Sequence, residues 1–126
     1  MISKIRNNKA AFTLVEIMIV VAIIGLLAAL AIPGFVKARK QSQGRRIIND
    51  ARQMDAAIDQ WALEKGKKDT DTVVTTEAAT YMKTAWLVND LLGNAYTINP
   101  VGTNQVQISG TTKTALASVG IDWGPY

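Results

Sequence analysis

The 126-residue chain has neither cysteine nor histidine. That removes thiol nucleophiles, imidazole bases, disulfides and the common zinc ligand sets in one step. It leaves the compartment open, because an oxidising space permits disulfides without requiring them. Aromatic residues are scarce, at 6%, and no aromatic-plus-basic stripe of the kind that stacks bases occurs. The formal charge of +4 is therefore a poor pointer to nucleic acid. Lys4, Arg6 and Lys9 all lie within the first eleven residues; without them the 14 basic residues fall to 11 against 10 acids, leaving about +1. No nucleic-acid partner is expected.

What the chain does have is one long apolar run. Phe12 to Ile32 reads FTLVEIMIVVAIIGLLAALAI, 21 residues with Glu16 as the only charge. As a helix rising 1.5 Å per residue it spans roughly 30 Å, about the thickness of a bilayer's hydrocarbon core. Residues 1–11 are short, basic and polar, as a targeting leader is. Pro33-Gly34 follows the run, and both residues favour a kink or break there. A carboxylate inside a spanning segment costs a few kcal/mol at the bilayer centre. Near the interface, Glu16 is also favoured by the positive end of the helix dipole.

Residues 33–65 carry a second helical signal. Ile47, Ala51, Met54, Ile58 and Trp61 are spaced 4-3-4-3, drawing one apolar stripe along a helix. Asp55 and Asp59 share the other face and read as a solvated surface rather than a reacting pair. Gly66 is the stop, with Lys65, Lys67 and Lys68 matched to the negative end of the dipole. Residues 66–126 predict a small head. Glu77–Leu92 has room for one or two helical turns, with Tyr81, Trp86, Leu87 and Leu91 available for burial. Tyr96 and Ile98, then Val106 and Ile108, alternate with polar residues around a turn-rich Asn99–Asn104, which predicts a hairpin. A third strand is expected near Thr114–Val119, and Trp123 is expected to pin the tail. A two-stranded hairpin is marginal alone and needs the helix stripe to pack on. The fold class is α+β: a long N-terminal helix, apolar then amphipathic, on a small antiparallel sheet.

No repeat, phosphate-binding glycine loop or metal-ligand cluster stands out, and no cofactor is implied. Asp69 and Asp71 are the one pair that could ligate calcium, against the simpler reading of a solvated acidic loop. Gly25 and Ala29 form a small-xxx-small pair, with Ala22, Ala28 and Ala31 adding short side chains. In lipid, such close backbone approach is what brings helices together.

The stretch from Ala10 to Val20, AAFTLVEIMIV, resembles the leader and cleavage motif of type IV pilins and type II secretion pseudopilins. The likeness covers residues 6 to about 40; the family usually has Gly where this chain has Ala11. The resemblance implies a structural subunit, not an enzyme. It implies cleavage between Ala11 and Phe12 by a membrane prepilin peptidase, which then methylates the new Phe12 amine. It places Pro33 where the family has its helix-kinking proline. It further implies that Glu16 of one subunit meets the Phe12 amine of a neighbour and sets register in a filament. The partners implied are other subunits, the peptidase, an inner-membrane assembly platform, and lipid before assembly. The head would lie in the periplasm, then in a periplasmic or extracellular filament. Orientation rests on this motif, because basic residues flank the run on both sides (Lys37, Arg39, Lys40, Arg45 and Arg46 follow it). The alternative is a secreted or anchored binding domain with a conventional signal segment, since Ala29-Leu30-Ala31 matches a signal-peptidase site. A cut there would leave Ile32 at the new N-terminus.

Overall fold

The computed structural model describes residues 12–126. Its elements are α1 (Leu14–Lys65), α2 (Thr75–Ala78), a 3-10 turn at Ala79–Tyr81, β1 (Thr97–Ile98), β2 (Val106–Gln107), α3 (Gly110–Ala115) and a 3-10 turn at Ala117–Val119. This is the α+β class expected. By internal contacts the chain divides after Val36.

From Leu14 to Val36 the chain is helical throughout. Of the kink or break expected at Pro33-Gly34, a break is absent, since Pro33 sits inside α1. Proline forfeits one N–H, so the Ala29 carbonyl loses its usual donor while the neighbouring rungs of the ladder remain. The amphipathic residues 33–65 are thus the later part of α1.

From Lys37 onward the apolar stripe organises the head. Ile47, Ala51, Met54, Ile58 and Trp61 are all 0% exposed. Each such side chain, apart from the small Ala51, contributes about 1.5–3 kcal/mol by leaving water. Ala78, Tyr96, Val106, Ile108 and Leu116 complete the cluster, with Ile121, Trp123 and Tyr126 of the tail packed against it. The tail approaches the helix closely at Gly44, where a Cβ would lie 2.1 Å from Ile121 Cδ1. The helix ends in a Schellman arrangement: Gly66 takes φ +63°, Lys67 N donates to the Ala62 carbonyl (2.8 Å) and Gly66 N to Leu63 (3.4 Å).

The hairpin pairs Thr97 with Gln107 and Ile98 with Val106, antiparallel. Its inward side chains are Tyr96, Val106 and Ile108, with Ile98 half-buried. The third strand is not there. Residues 110–119 form α3 and a 3-10 turn instead, started by Ser109, whose hydroxyl accepts from Thr111 N (3.2 Å). The helical turns expected within Glu77–Leu92 begin slightly earlier, at Thr75, and end at Tyr81. Leu91 is 43% exposed; Leu92 packs on the core in its place.

Two polar clamps hold the loops to this frame. Asp90 is buried and accepts from Leu92 N (2.9 Å), Asn94 N (3.0 Å) and the Thr112 hydroxyl, tying the loop before β1 to α3. Gln105, 3% exposed, donates from Nε2 to Asp55 Oδ1 (2.9 Å) and Asp59 Oδ1 (2.7 Å). The Tyr126 hydroxyl adds a contact to Asp55 Oδ2 (3.3 Å). Asp55 and Asp59 are therefore not a simply solvated face: they receive the hairpin. Truncating Gln105 to Ala should destabilise the head by about 1–3 kcal/mol, because it strips donors from both carboxylates. Thermal melts of the full chain check this.

Tyr96 is the exception to this economy. It is 8% exposed and its hydroxyl has no hydrogen-bond partner among the described residues. Burial, with the nearby carboxylates of Asp50 and Asp90, pushes its phenol well above the usual tyrosine range. An unpaired buried hydroxyl carries a desolvation cost of about 1–3 kcal/mol, so Tyr96→Phe should raise stability, by about 1 kcal/mol. The raised folded-state value favours the neutral phenol. Its contribution is complete below the unfolded value near pH 10 and lost as pH rises through the folded value. The natural head should therefore weaken above about pH 10, and the Phe variant should weaken less. Unfolding midpoints between about pH 8 and 11 measure both.

Candidate functional site

The candidate site is the start of α1. Phe12 and Thr13 lie outside the helix, and Leu14 is its first residue. Thr13 Oγ1 accepts from Glu16 N (3.2 Å), while Glu16 Oε2 accepts from Thr13 N (3.3 Å). This is a capping box: two backbone donors that the helix leaves unpaired are satisfied by each other's side chains. Ile17 N then donates to the Thr13 carbonyl (3.3 Å) and the ladder begins. Thr13 was readable from the T-x-x-E spacing, yet the sequence reading gave it no role. Both halves of the box lie after the Ala11–Phe12 bond, so cutting that bond leaves it intact. Ala11 itself falls outside the described residues.

Glu16 is one turn past Phe12, roughly 6 Å along the axis. One of its carboxylate oxygens is occupied by Thr13 N, and the side chain is exposed. An α-amine created at Phe12 would be cationic at neutral pH, with an ordinary pKa near 8.

The rest of this stretch offers no cover to water-avoiding groups. From Phe12 to Val36 every large apolar side chain is open, between 45% at Val36 and 77% at Leu14. The helix meets the length and composition required to cross a membrane, and its apolar window is 0% buried. Uncovered apolar surface on this scale marks lipid or protein contact. A Cβ at Gly25 would meet nothing within 4 Å. At 100° per residue, Gly25, Ala29 and Pro33 fall along one side, while Glu16 lies about half a turn away from Gly25. The residues expected to serve assembly thus form two groups on different faces.

Of Asp69 and Asp71, the second serves the loop that carries them, while Asp69 is exposed. Asp71 Oδ2 accepts from Lys68 N (2.9 Å), and the loop is tied to Val101 through Thr70 N (2.8 Å) and the Asp71 carbonyl (2.9 Å). Among the described residues no group of three or more acidic or other metal-ligating side chains gathers.

Residues 6–32 match the family model described as the prokaryotic N-terminal methylation motif. Fimbrial protein EcpC of Eikenella corrodens is 32% identical over 117 residues, covering 93% of this chain and 71% of that protein. The chain belongs to the type IV pilin family. It is a structural pilin-type subunit, not an enzyme. The type IV major fimbrial protein FimA of Dichelobacter nodosus is 44% identical to this pilin-family chain over 64 residues, 51% of it and 40% of FimA. Type II secretion system core protein G of Klebsiella michiganensis is 29% identical over 65 residues, 52% of this chain and 46% of that protein. No solved structure matches significantly.

The capping box makes its own forecast. Thr13→Val removes the acceptor for Glu16 N and should cost the helix start about 1 kcal/mol. Amide exchange at Glu16 and Ile17 in micelles should then speed up by about fivefold. An unchanged rate would mean that the box contributes nothing.

Proposed function

We propose that this pilin-family chain is cut between Ala11 and Phe12 by a prepilin peptidase, methylated on the new amine, and polymerised through α1 into a type IV pilus or secretion pseudopilus. Before assembly it is anchored in the inner membrane by residues 12–32, with the head in the periplasm. It is handed to the filament by an inner-membrane assembly platform. The observation that carries the reading is the uncovered apolar stretch of α1 with a single carboxylate in its first turn. Lipid covers that surface in the anchored subunit and neighbouring subunits cover it in the filament.

Assembly exchanges one apolar surrounding for another, so burial of apolar side chains gives little direction to it. Direction comes from charge. Glu16 and a neighbour's Phe12 amine attract strongly in a low-dielectric bundle, and each is costly there alone. Their pairing sets the axial register. Gly25 and Ala29, on another face, let adjacent helices approach. The Ala29-Leu30-Ala31 sequence lies in the interior of α1, so cleavage after Ala31 would sever the helix that the rest of the reading requires.

N-terminal sequencing of the mature chain should return Phe12; Ile32 would instead establish the conventional signal segment. Glu16→Ala should leave membrane insertion intact and cut filament yield at least about tenfold, since removing one partner leaves the other charge unpaired. Normal yield of sheared filaments from that variant would sink the registry role.

A further inference from the structure

The chain has ten acids, and most of them already hold hydrogen-bond donors. Besides Glu16, Asp55, Asp59, Asp71 and Asp90, described above, Glu64 accepts from the Tyr81 hydroxyl (2.5 Å), Glu77 from Trp61 Nε1 (2.7 Å) and Asp122 from Gly124 N (3.0 Å). Among the described residues that leaves Asp50 and Asp69. Asp50 is half-buried and borders a hollow that Arg46 also borders. Asp69 is exposed and sits at the hairpin tip, its Cγ 3.9 Å from where a Cβ on Gly102 would lie. Thr70 N and the Asp71 carbonyl, both bound to Val101, fix the loop behind it. Asp69 is thus an open carboxylate on a rigid mount.

A matching pair of cations lies lower on the same side of α1. Gln41, Arg45, Ile48, Arg52, Asp55 and Asp59 follow 4-3-4-3-4 spacing, which keeps them within an arc of about 80°. The hairpin covers the upper end of this row, where Gln105 holds Asp55 and Asp59. Lower down, Gln41, Arg45, Ile48 and Arg52 form one wall of a hollow, and residues 119–122 form the other. Ile48 is buried, and Gln41 Nε2 donates to the Val119 carbonyl (3.5 Å), joining the two walls. Both arginines are exposed. Asp122 also borders the hollow, which therefore carries two guanidinium groups to one carboxylate. No aromatic side chain lines it for a base to stack on.

We infer that the Arg45–Arg52 hollow receives Asp69 of a second copy of this chain. The inference rests on the proposed polymerisation and names one head-to-head contact within it. Arg52 and Arg45 lie 13 and 20 residues before Lys65, roughly 20 and 30 Å down the helix axis, so Asp69 cannot reach its own hollow. Acid and hollow share one side of the subunit at different heights. They meet when a second copy, pointing the same way, is shifted along α1 by about that distance. Each copy then offers its acid to one neighbour and its hollow to another. Such a contact is heterologous, and without a closing rotation it propagates as an open filament. The fixed loop loses little freedom on docking, and an arginine fork matches a carboxylate in shape as well as charge.

The natural chain has no cysteine, so added thiols report the contact without background. The full chain carrying both Asp69→Cys and Arg52→Cys is assembled in cells, and the sheared filaments are oxidised. A ladder of covalent oligomers is expected, and none from either single variant, because a disulfide needs Cα atoms within about 7 Å. Filaments of the double variant that give no ladder overturn the contact. Capture of a host protein by Arg52→Cys in place of the ladder assigns the hollow to another partner and also overturns it. Charge exchange is the second arm. Asp69→Arg should cut filament yield at least about tenfold, and adding Arg45→Asp and Arg52→Asp to that chain should restore it to within about twofold. Natural yield from Asp69→Arg, or no recovery in the exchanged chain while its melting midpoint stays natural, overturns the contact and leaves polymerisation standing. Absence of filaments from the natural chain overturns both together.

Discussion

One helix faces two kinds of surroundings, and the structure depends on how it satisfies both. Between its two ends the peptide groups of α1 pair within the helix, apart from the carbonyl that Pro33 leaves without a donor, so the backbone tolerates lipid, protein or water. The side chains then decide what each stretch is for. From Phe12 to Val36 the apolar residues are open on every side. From Ile47 to Trp61 they are drawn into one stripe and fully covered. The change in pattern separates a segment that needs an apolar medium from one that builds its own.

The head is small, and its sheet has only two residues per strand. Such a hairpin cannot hold itself in water. Burial of Tyr96, Val106 and Ile108 against α1 supplies the attraction, and polar clamps supply the alignment. Gln105 reaches across the interface to Asp55 and Asp59, and Asp90 joins the loop before β1 to Thr112 of α3. Placing amides and carboxylates together at a partly buried seam restricts the hairpin to one position, because any shift would strand their hydrogen-bonding groups. Hydrophobic contact alone would allow sliding.

The legible parts of this chain were those set by local pattern. A 4-3-4-3 spacing identifies Ile47 to Trp61 as a buried stripe because a helix repeats every 3.6 residues whatever it packs against. The hairpin followed from alternation around a turn. Thr114–Val119 was misread as a strand for the opposite reason. Its β-branched residues fit a strand locally, but Ser109 starts a helix there and Thr112 is claimed by Asp90, 22 residues away. No spacing rule connects those two. Asp55 and Asp59 were likewise judged from their own helix, whereas their partner lies 46 to 50 residues further on. Pairing across such distances depends on the finished packing, so it is absent from any short window.

Two carboxylates make the contrast between the halves concrete. Asp90 receives two backbone N–H groups and a hydroxyl, and these donors offset the loss of water around a buried charge. Among the described residues, Glu16 receives a single backbone N–H, from Thr13. A carboxylate offers about four acceptor positions, so one donor leaves most of its capacity unused. In water the remainder would be filled by solvent; against hydrocarbon it would not. The capping box is therefore enough to start the helix and too little to settle the charge. A cation gains less by approaching Asp90, whose acceptors are already engaged, than it would by approaching Glu16 in the proposed membrane or filament, where the surroundings are of low dielectric. The difference in how far each acid is satisfied, rather than its identity as an acid, makes one a fixed part of the head and leaves the other suited to the pairing proposed for it.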